Sequence, residues 1–262
     1  MDVMSKTGSE GKDQQTNPYR SVDELSKQEL VSWIMDAFRR SVVHYGMWYA
    51  EVAHQLGPDA ANRLEASAGD RGMGIILKRL GEVLGFEMRD GLPGPLLDMK
   101  KQVLLDLSKA ISKNWLVGDG VWFQAVEHER KMQTAKLCND GCWAGFSPYE
   151  AYRIKKLLSL GDRPGLEGLA AALQMRLYSR INKQSLHWQD DGSLIFQMNE
   201  CRVQVARARK GLDDYPCKSA GLIEYPYFAS AIDPRIRTEC IGCPPDPHPK
   251  QWWCAWHFYL DE

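Results

Sequence analysis

Apolar residues recur at helical spacing through the first two-thirds of the chain and at strand spacing through the last third. Leu30, Ile34, Phe38 and Val42 form one stripe, and the Ser26-Lys27-Gln28-Glu29 stretch before them is a capping-box pattern. Gly57-Pro58 stops that helix and starts another, because proline fits the first turn, where its missing N–H costs nothing. Helical spacing continues over residues 73–84 and stops at Gly85. Gly91-Leu92-Pro93-Gly94-Pro95 then breaks the chain. A second stripe comes at Val103, Leu107, Ile111 and Trp115, and a last helix is expected over residues 164–179.

The second stripe echoes the first. Gly46-Met47-Trp48-Tyr49 is matched by Gly120-Val121-Trp122-Phe123, and Val52 and His54 by Val126 and His128. Leu77-Lys78-Arg79-Leu80 corresponds to Ile154-Lys155-Lys156-Leu157, and Leu84-Gly85 to Leu160-Gly161. A shared order and a nearly constant offset predict two copies of one helical unit. Past Asn182 the texture changes. Residues 184–189, the turn Asp190-Asp191-Gly192 and residues 193–205 read as a β-hairpin, with Val203 and Val205 alternating with Arg202 and Gln204. A helix over 220–232, bent at Pro226, precedes strands at 236–240 and 252–260, the last apolar on both faces and therefore central. The fold class is α+β: a duplicated helical region followed by a small antiparallel sheet with a cysteine-rich loop. The expected divisions are a polar, disordered tail (1–20), helical units at 21–90 and 96–181, and a cysteine-rich module at 182–262.

Charge and compartment narrow the function. The formal net charge is −1, so no overall basic field draws the chain to nucleic acid. The run Arg202, Arg207, Arg209, Lys210 is answered by Asp213 and Asp214 and reads as a solvated face. No apolar stretch is long enough to span a bilayer, and the polar N-terminus lacks the apolar core of a signal peptide. A cytoplasmic location is expected. In that reducing setting the seven cysteines are metal ligands, reactive thiols or buried residues rather than disulfides.

Five of those cysteines lie beyond residue 200. Cys240-Ile241-Gly242-Cys243 is a C-x-x-C pair in which Gly242 permits a tight turn, and Pro244 and Pro245 stiffen the loop beyond it. Cys254 supplies a third ligand across a ten-residue loop, and Cys217 a fourth, with His248 as a substitute. The expected cofactor is an iron–sulfur cluster or zinc. The bland alternative makes Cys201 and Cys254 buried strand residues beside a rigid loop. A small-molecule pocket is expected around Trp122, Glu127, His128 and Asp140. Against it, Glu129 and Arg130 continue the polar run, as on the wet edge of an amphipathic helix. Cys138 and Cys142 are spaced as helical neighbours, although Gly141 argues against a regular helix.

The stretch from Cys201 to Leu260, with YPCKS, IDPRI, CIGCPPD and the HPKQWWCAW run, resembles an uncharacterised family of bacterial cytosolic proteins. The resemblance covers about the last 145 residues, including Trp122 to Trp143, where family members carry an acidic residue in place of His128. It implies no activity. More distantly, a cysteine-bearing loop feeding a last strand of the form C-x-aromatic-x-hydrophobic is similar to 4-vinyl-reductase-type domains and amino-thiazoline-carboxylate hydrolases. No catalytic residue of either group maps onto a position here. Three functions are compatible with the sequence: a metal-binding redox or sensory protein with a small-molecule pocket, a cysteine-dependent hydrolase using Cys217 or Cys254, and a non-catalytic accessory protein docking through its aromatic C-terminus.

Overall fold

The computed structural model describes residues 21–209, 211 and 213–261; the expected disordered tail lies outside them. The chain forms two compact units, Met1–Gly57 and Pro58–Glu262. The first is carried by α1 (Lys27–Leu56). The capping box is formed: Ser26 N donates to the Glu29 carboxylate at 2.8 Å, and Glu29 N donates to Ser26 Oγ at 3.4 Å. Gly57, with φ of 85°, ends the helix. No residue of α1 is buried, so the stripe of Leu30, Ile34, Phe38 and Val42 stays open to solvent.

The second unit opens with α2 (Pro58–Leu84), which starts well before residue 73. The Gly/Pro-rich stretch is a miniature hairpin, β1 (Met88–Arg89) and β2 (Leu92–Pro93), turned at Asp90 and Gly91. Both turn residues have positive φ, as the tight hairpin turn requires. After the short α3 (Gly94–Leu97) comes α4 (Lys101–Leu157), which is broken at Lys131, where φ is 74° and ψ 166°. Gly57 adopts nearly the same backbone conformation, φ 85° and ψ 159°. Each break comes eleven residues after the glycine of its GMWY or GVWF segment. The two stretches therefore share the order helix, break, helix. Gly141 does not interrupt α4, so Cys138 and Cys142 share a helix. Arg153 and Lys156 of α4 both reach Asp70 of α2 at 3.1 Å.

α5 (Gly165–Met175) leads through a 3-10 turn (Leu177–Arg180) into the sheet strands β3 (Lys183–Trp188) and β4 (Leu194–Glu200). Then come α6 (Arg202–Ala208), α7 (Lys218–Ile232), β5 (Ile236–Gly242) and β6 (Cys254–Leu260). The sheet is antiparallel in the order β3-β4-β6-β5, so the last strand is central, as expected. Its Cys254, Trp256 and Phe258 share one face and are buried, while His257 and Tyr259 on the other face are only half-buried. α5 and α7 lie against the sheet and α4 against α7. Leu169, Phe196, Phe228, Ile232, Trp256 and Phe258 form the centre of the core. The expected strand over 202–205 is instead the helix α6. β3 pairs with β4 only as far as Lys183 opposite Glu200, and Asn182 Oδ1 accepts from Arg202 N at 2.9 Å, turning the chain into the helix. Among the described residues no helix is long and apolar enough to cross a membrane.

Lys131 occupies a backbone region that costs a side-chain-bearing residue about 1–3 kcal/mol. Replacing it by glycine relieves that strain, offset in part by the extra freedom glycine has when unfolded. Lys131→Gly is expected to stabilise the protein by about 1 kcal/mol in chemical denaturation, whereas Lys131→Ala is expected to gain nothing.

Candidate functional site: a thiol-lined cavity

A cavity of about 690 Å³ lies between one face of α4, helices α6 and α7, and the sheet. Asp119, Phe123 and Glu127 recur every fourth residue along α4 and line one wall. Four of the seven cysteines also line it: Cys201, Cys217, Cys243 and Cys254.

Their convergence has a local cause at each position. Cys217 is the residue immediately before the first turn of α7, Lys218–Ile232. The segment before it is gripped by the buried Gln204 of α6, which donates to Tyr215 O at 2.9 Å and accepts from Tyr215 N at 2.8 Å. The same amide nitrogen lies 3.6 Å from Cys217 Sγ. Cys243 is brought over by the loop after β5: Lys218 N donates to Pro244 O at 2.9 Å, and Lys218 pairs with Asp246 at 2.6 Å. Gly221, one turn into α7, lets Trp256 and Cys243 close in; a Cβ there would sit 2.6 Å from the Trp256 ring. The Cys217 and Cys243 sulfurs are 3.6 Å apart. Cys254 comes from β6, opposite Met198, and lines the same cavity as Cys243.

The electrostatics divide the thiols. The hydrogen bond from Cys243 lowers the Cys217 pKa, assisted by Gln204, and the same bond raises that of Cys243, with Cys254 and burial adding to the rise. The pair therefore favours a thiolate on Cys217 and the proton on Cys243. Burial pushes the Cys201 thiol up to about 12, with Cys254 and Cys217 contributing.

Cys240 does not line the cavity, although the C-x-x-C spacing led us to expect that it joins Cys243. A bulge between Cys240 and Gly242 separates the two. Cys240 stays opposite Trp256, while Cys243 passes on to Cys217. His248, the substitute ligand, is also elsewhere, 3.4 Å from Asp214 and against the Trp253 ring. Among the described residues no three or more His, Cys, Asp or Glu side chains are grouped so as to hold a metal ion.

Of the residues expected to line a pocket, Glu127 does so and is half-buried. His128 is exposed and touches neither this cavity nor a neighbouring one of about 490 Å³. Trp122, 73% exposed, borders that smaller cavity together with Cys138 and Cys142. Asp140 lines neither and is paired with Lys136 at 3.4 Å. Sequence reasoning missed Cys201, Asp119, Gln204 and Glu224 at the main cavity. Gln204 offered a faint signal, as a long amide in a segment otherwise patterned as a solvated face.

Behind the cavity Arg176 is buried between two carboxylates, Glu150 of α4 at 2.8 Å and Glu224 of α7 at 2.7 Å. Its guanidinium lies over the Phe228 ring at 4.6 Å. Burial raises the Glu224 pKa, and Arg176 pulls it back.

Fold and site together define an α+β protein with a thiol-lined pocket against a helical wall. Residues 96–260 match the model of the DUF6125 family of unknown function, and the chain belongs to that family. No curated protein and no solved structure matches it.

Arg176→Met leaves two carboxylates buried without a counter-charge and is expected to cost about 3–5 kcal/mol in denaturant unfolding at pH 7. The sign of its pH dependence is set by Glu224: burial raises its folded pKa, and without Arg176 nothing pulls it back, so the variant regains stability as pH falls toward 5, where the protonated carboxyl needs no partner. A variant equally unstable at both pH values would contradict the clamp.

Proposed function

We propose that the protein binds a small molecule in the 690 Å³ cavity and acts on it through a dithiol, with Cys217 as the attacking thiolate and Cys243 as the resolving thiol. The observation that carries this reading is the pair of sulfurs 3.6 Å apart at the wall of a pocket large enough for a ligand. A thiolate at the start of a 15-residue helix, hydrogen-bonded to a second thiol, suits thiol–disulfide exchange. Cys217 attacks one sulfur of a disulfide ligand, the ligand's S–S bond breaks, and one thiol leaves with a proton from solvent. Cys243 then attacks the mixed disulfide, releases the second thiol and leaves a Cys217–Cys243 disulfide. Two electrons pass from the protein thiols to the ligand.

A second reading makes the four cavity thiols, Cys201, Cys217, Cys243 and Cys254, the ligands of zinc or an iron–sulfur cluster. It is favoured by the same 3.6 Å separation, close to that of two sulfurs sharing a zinc ion with bonds of about 2.3 Å. It requires Cys201 in place of Cys240 and a closer approach of the other sulfurs than the present grouping gives. Metal analysis of anaerobically purified protein separates the two readings: stoichiometric zinc or iron lost in Cys217→Ser supports the second.

The exchange reading is tested with 2-hydroxyethyl disulfide and mass spectrometry. Cys243→Ser is expected to accumulate one adduct on Cys217, whereas the unmodified protein releases it and forms the internal disulfide. Exposed Cys138 serves as the internal reference. If Cys217 is modified no faster than Cys138, the dithiol assignment fails.

A further inference from the structure

The charge inside the cavity is lopsided. Three carboxylates line it, Asp119, Glu127 and Glu224, and one guanidinium, that of Arg207. Glu224 is answered by Arg176 behind the wall. Arg207 donates its Nε proton to Asp213 O at 2.6 Å. The nearby Lys136 is held by Asp140 at 3.4 Å and sits over the Tyr215 ring, 4.9 Å from its centre. Asp119 is left with an amide: its hydrogen-bond partner is Asn139 at 3.4 Å, and among the described residues it has no ion pair. Burial alone raises its pKa, with no cation to lower it. Glu127 likewise has no ion pair among the described residues and stands two helical turns further along the same face, with Phe123 between.

Aromatic rings fill the rest of that end. Phe123 meets the Tyr215 ring edge-on at 5.4 Å, and Tyr178 stacks on Trp143 with ring centres 5.7 Å apart. All four line the cavity. A carboxylate without a counter-ion in a desolvated site is costly, and ring faces attract cations. A positive charge on a ligand would supply the partner that Asp119 lacks, and Glu127 on the same face would add to the attraction.

We propose that the cavity selects an organic cation, a ligand bearing an ammonium or amidinium group, with Asp119 and Glu127 as its counter-ions and Phe123, Tyr178 and Tyr215 around it. This deepens the dithiol reading and rests on it for the position of the ligand's reactive end, at Cys217. An ammonium-bearing disulfide is then the favoured substrate class. An anionic disulfide of the same length is rejected by the two carboxylates.

Three disulfides of similar length test this: cystamine, which is a dication, neutral 2-hydroxyethyl disulfide, and dianionic 3,3′-dithiodipropionate. The rate of Cys217 modification by each is divided by its rate with free cysteine, which removes intrinsic reactivity. Cystamine is expected to lead the neutral probe by about ten-fold and the dianion by more. In the isosteric double variant Asp119→Asn/Glu127→Gln the cystamine-to-neutral ratio is expected to fall to near one. Equal normalised rates, or an advantage that survives the double variant, overturn the cation proposal while leaving the dithiol reading standing. Should Cys217 react with none of them, the dithiol reading fails, and benzamidine and its neutral analogue benzamide decide the cation proposal alone. Saturable quenching of tryptophan fluorescence by benzamidine but not benzamide, lost in the double variant, supports it; no preference between the two overturns it.

Discussion

The buried charge of Arg176 is the constraint around which the second unit is organised. The clamp joins three separate pieces of chain, the end of α5, the second half of α4 and the middle of α7. A guanidinium at full burial is tolerable only where carboxylates and ring faces surround it, so these elements must meet with little freedom in their spacing. The cavity lies along that junction. Its thiol side is fixed by where α7 begins, and its acidic side by how α4 passes the same helix. The clamp contributes geometry more than net stability, since ion pairs of this kind roughly balance their desolvation.

Much of the fold was legible because local physics dictated it. The Ser26 capping box, the Gly57-Pro58 stop and start, and the Asp191-Gly192 turn each act over a few residues. The structure places each where the pattern did. The strand assignment over 202–205 failed because alternation of Val203 and Val205 with Arg202 and Gln204 over four residues fits a single helical turn nearly as well as a strand. What decided it was a distant hydrogen bond from Arg202 to Asn182.

The site was legible in its ingredients and not in its pairing. Cysteine density after residue 200 drew attention to this part of the chain, and Cys217, Cys243 and Cys254 do line one cavity. The C-x-x-C spacing gave no sign that Cys240 stays outside that cavity, because a bulge is invisible in sequence and re-aims everything after it. Cys201 enters through the turn from β4 into α6, which the hairpin reading had erased. Asp119 was equally hidden: an acidic residue on an amphipathic helix normally faces water, and only the arrival of Tyr215 and Tyr178 from elsewhere takes water away.

Cys243, Cys254 and Tyr225 are at once cavity wall and hydrophobic core. Most binding sites are lined by residues whose loss leaves the scaffold intact; here the same atoms serve both roles. Any alkyl group, metal or cross-link placed on the two sulfurs must therefore change how β5 and β6 pack under α7. A group held reversibly by the folded chain alone would for that reason shift the free energy of unfolding by mass action, and the melting curve would record it.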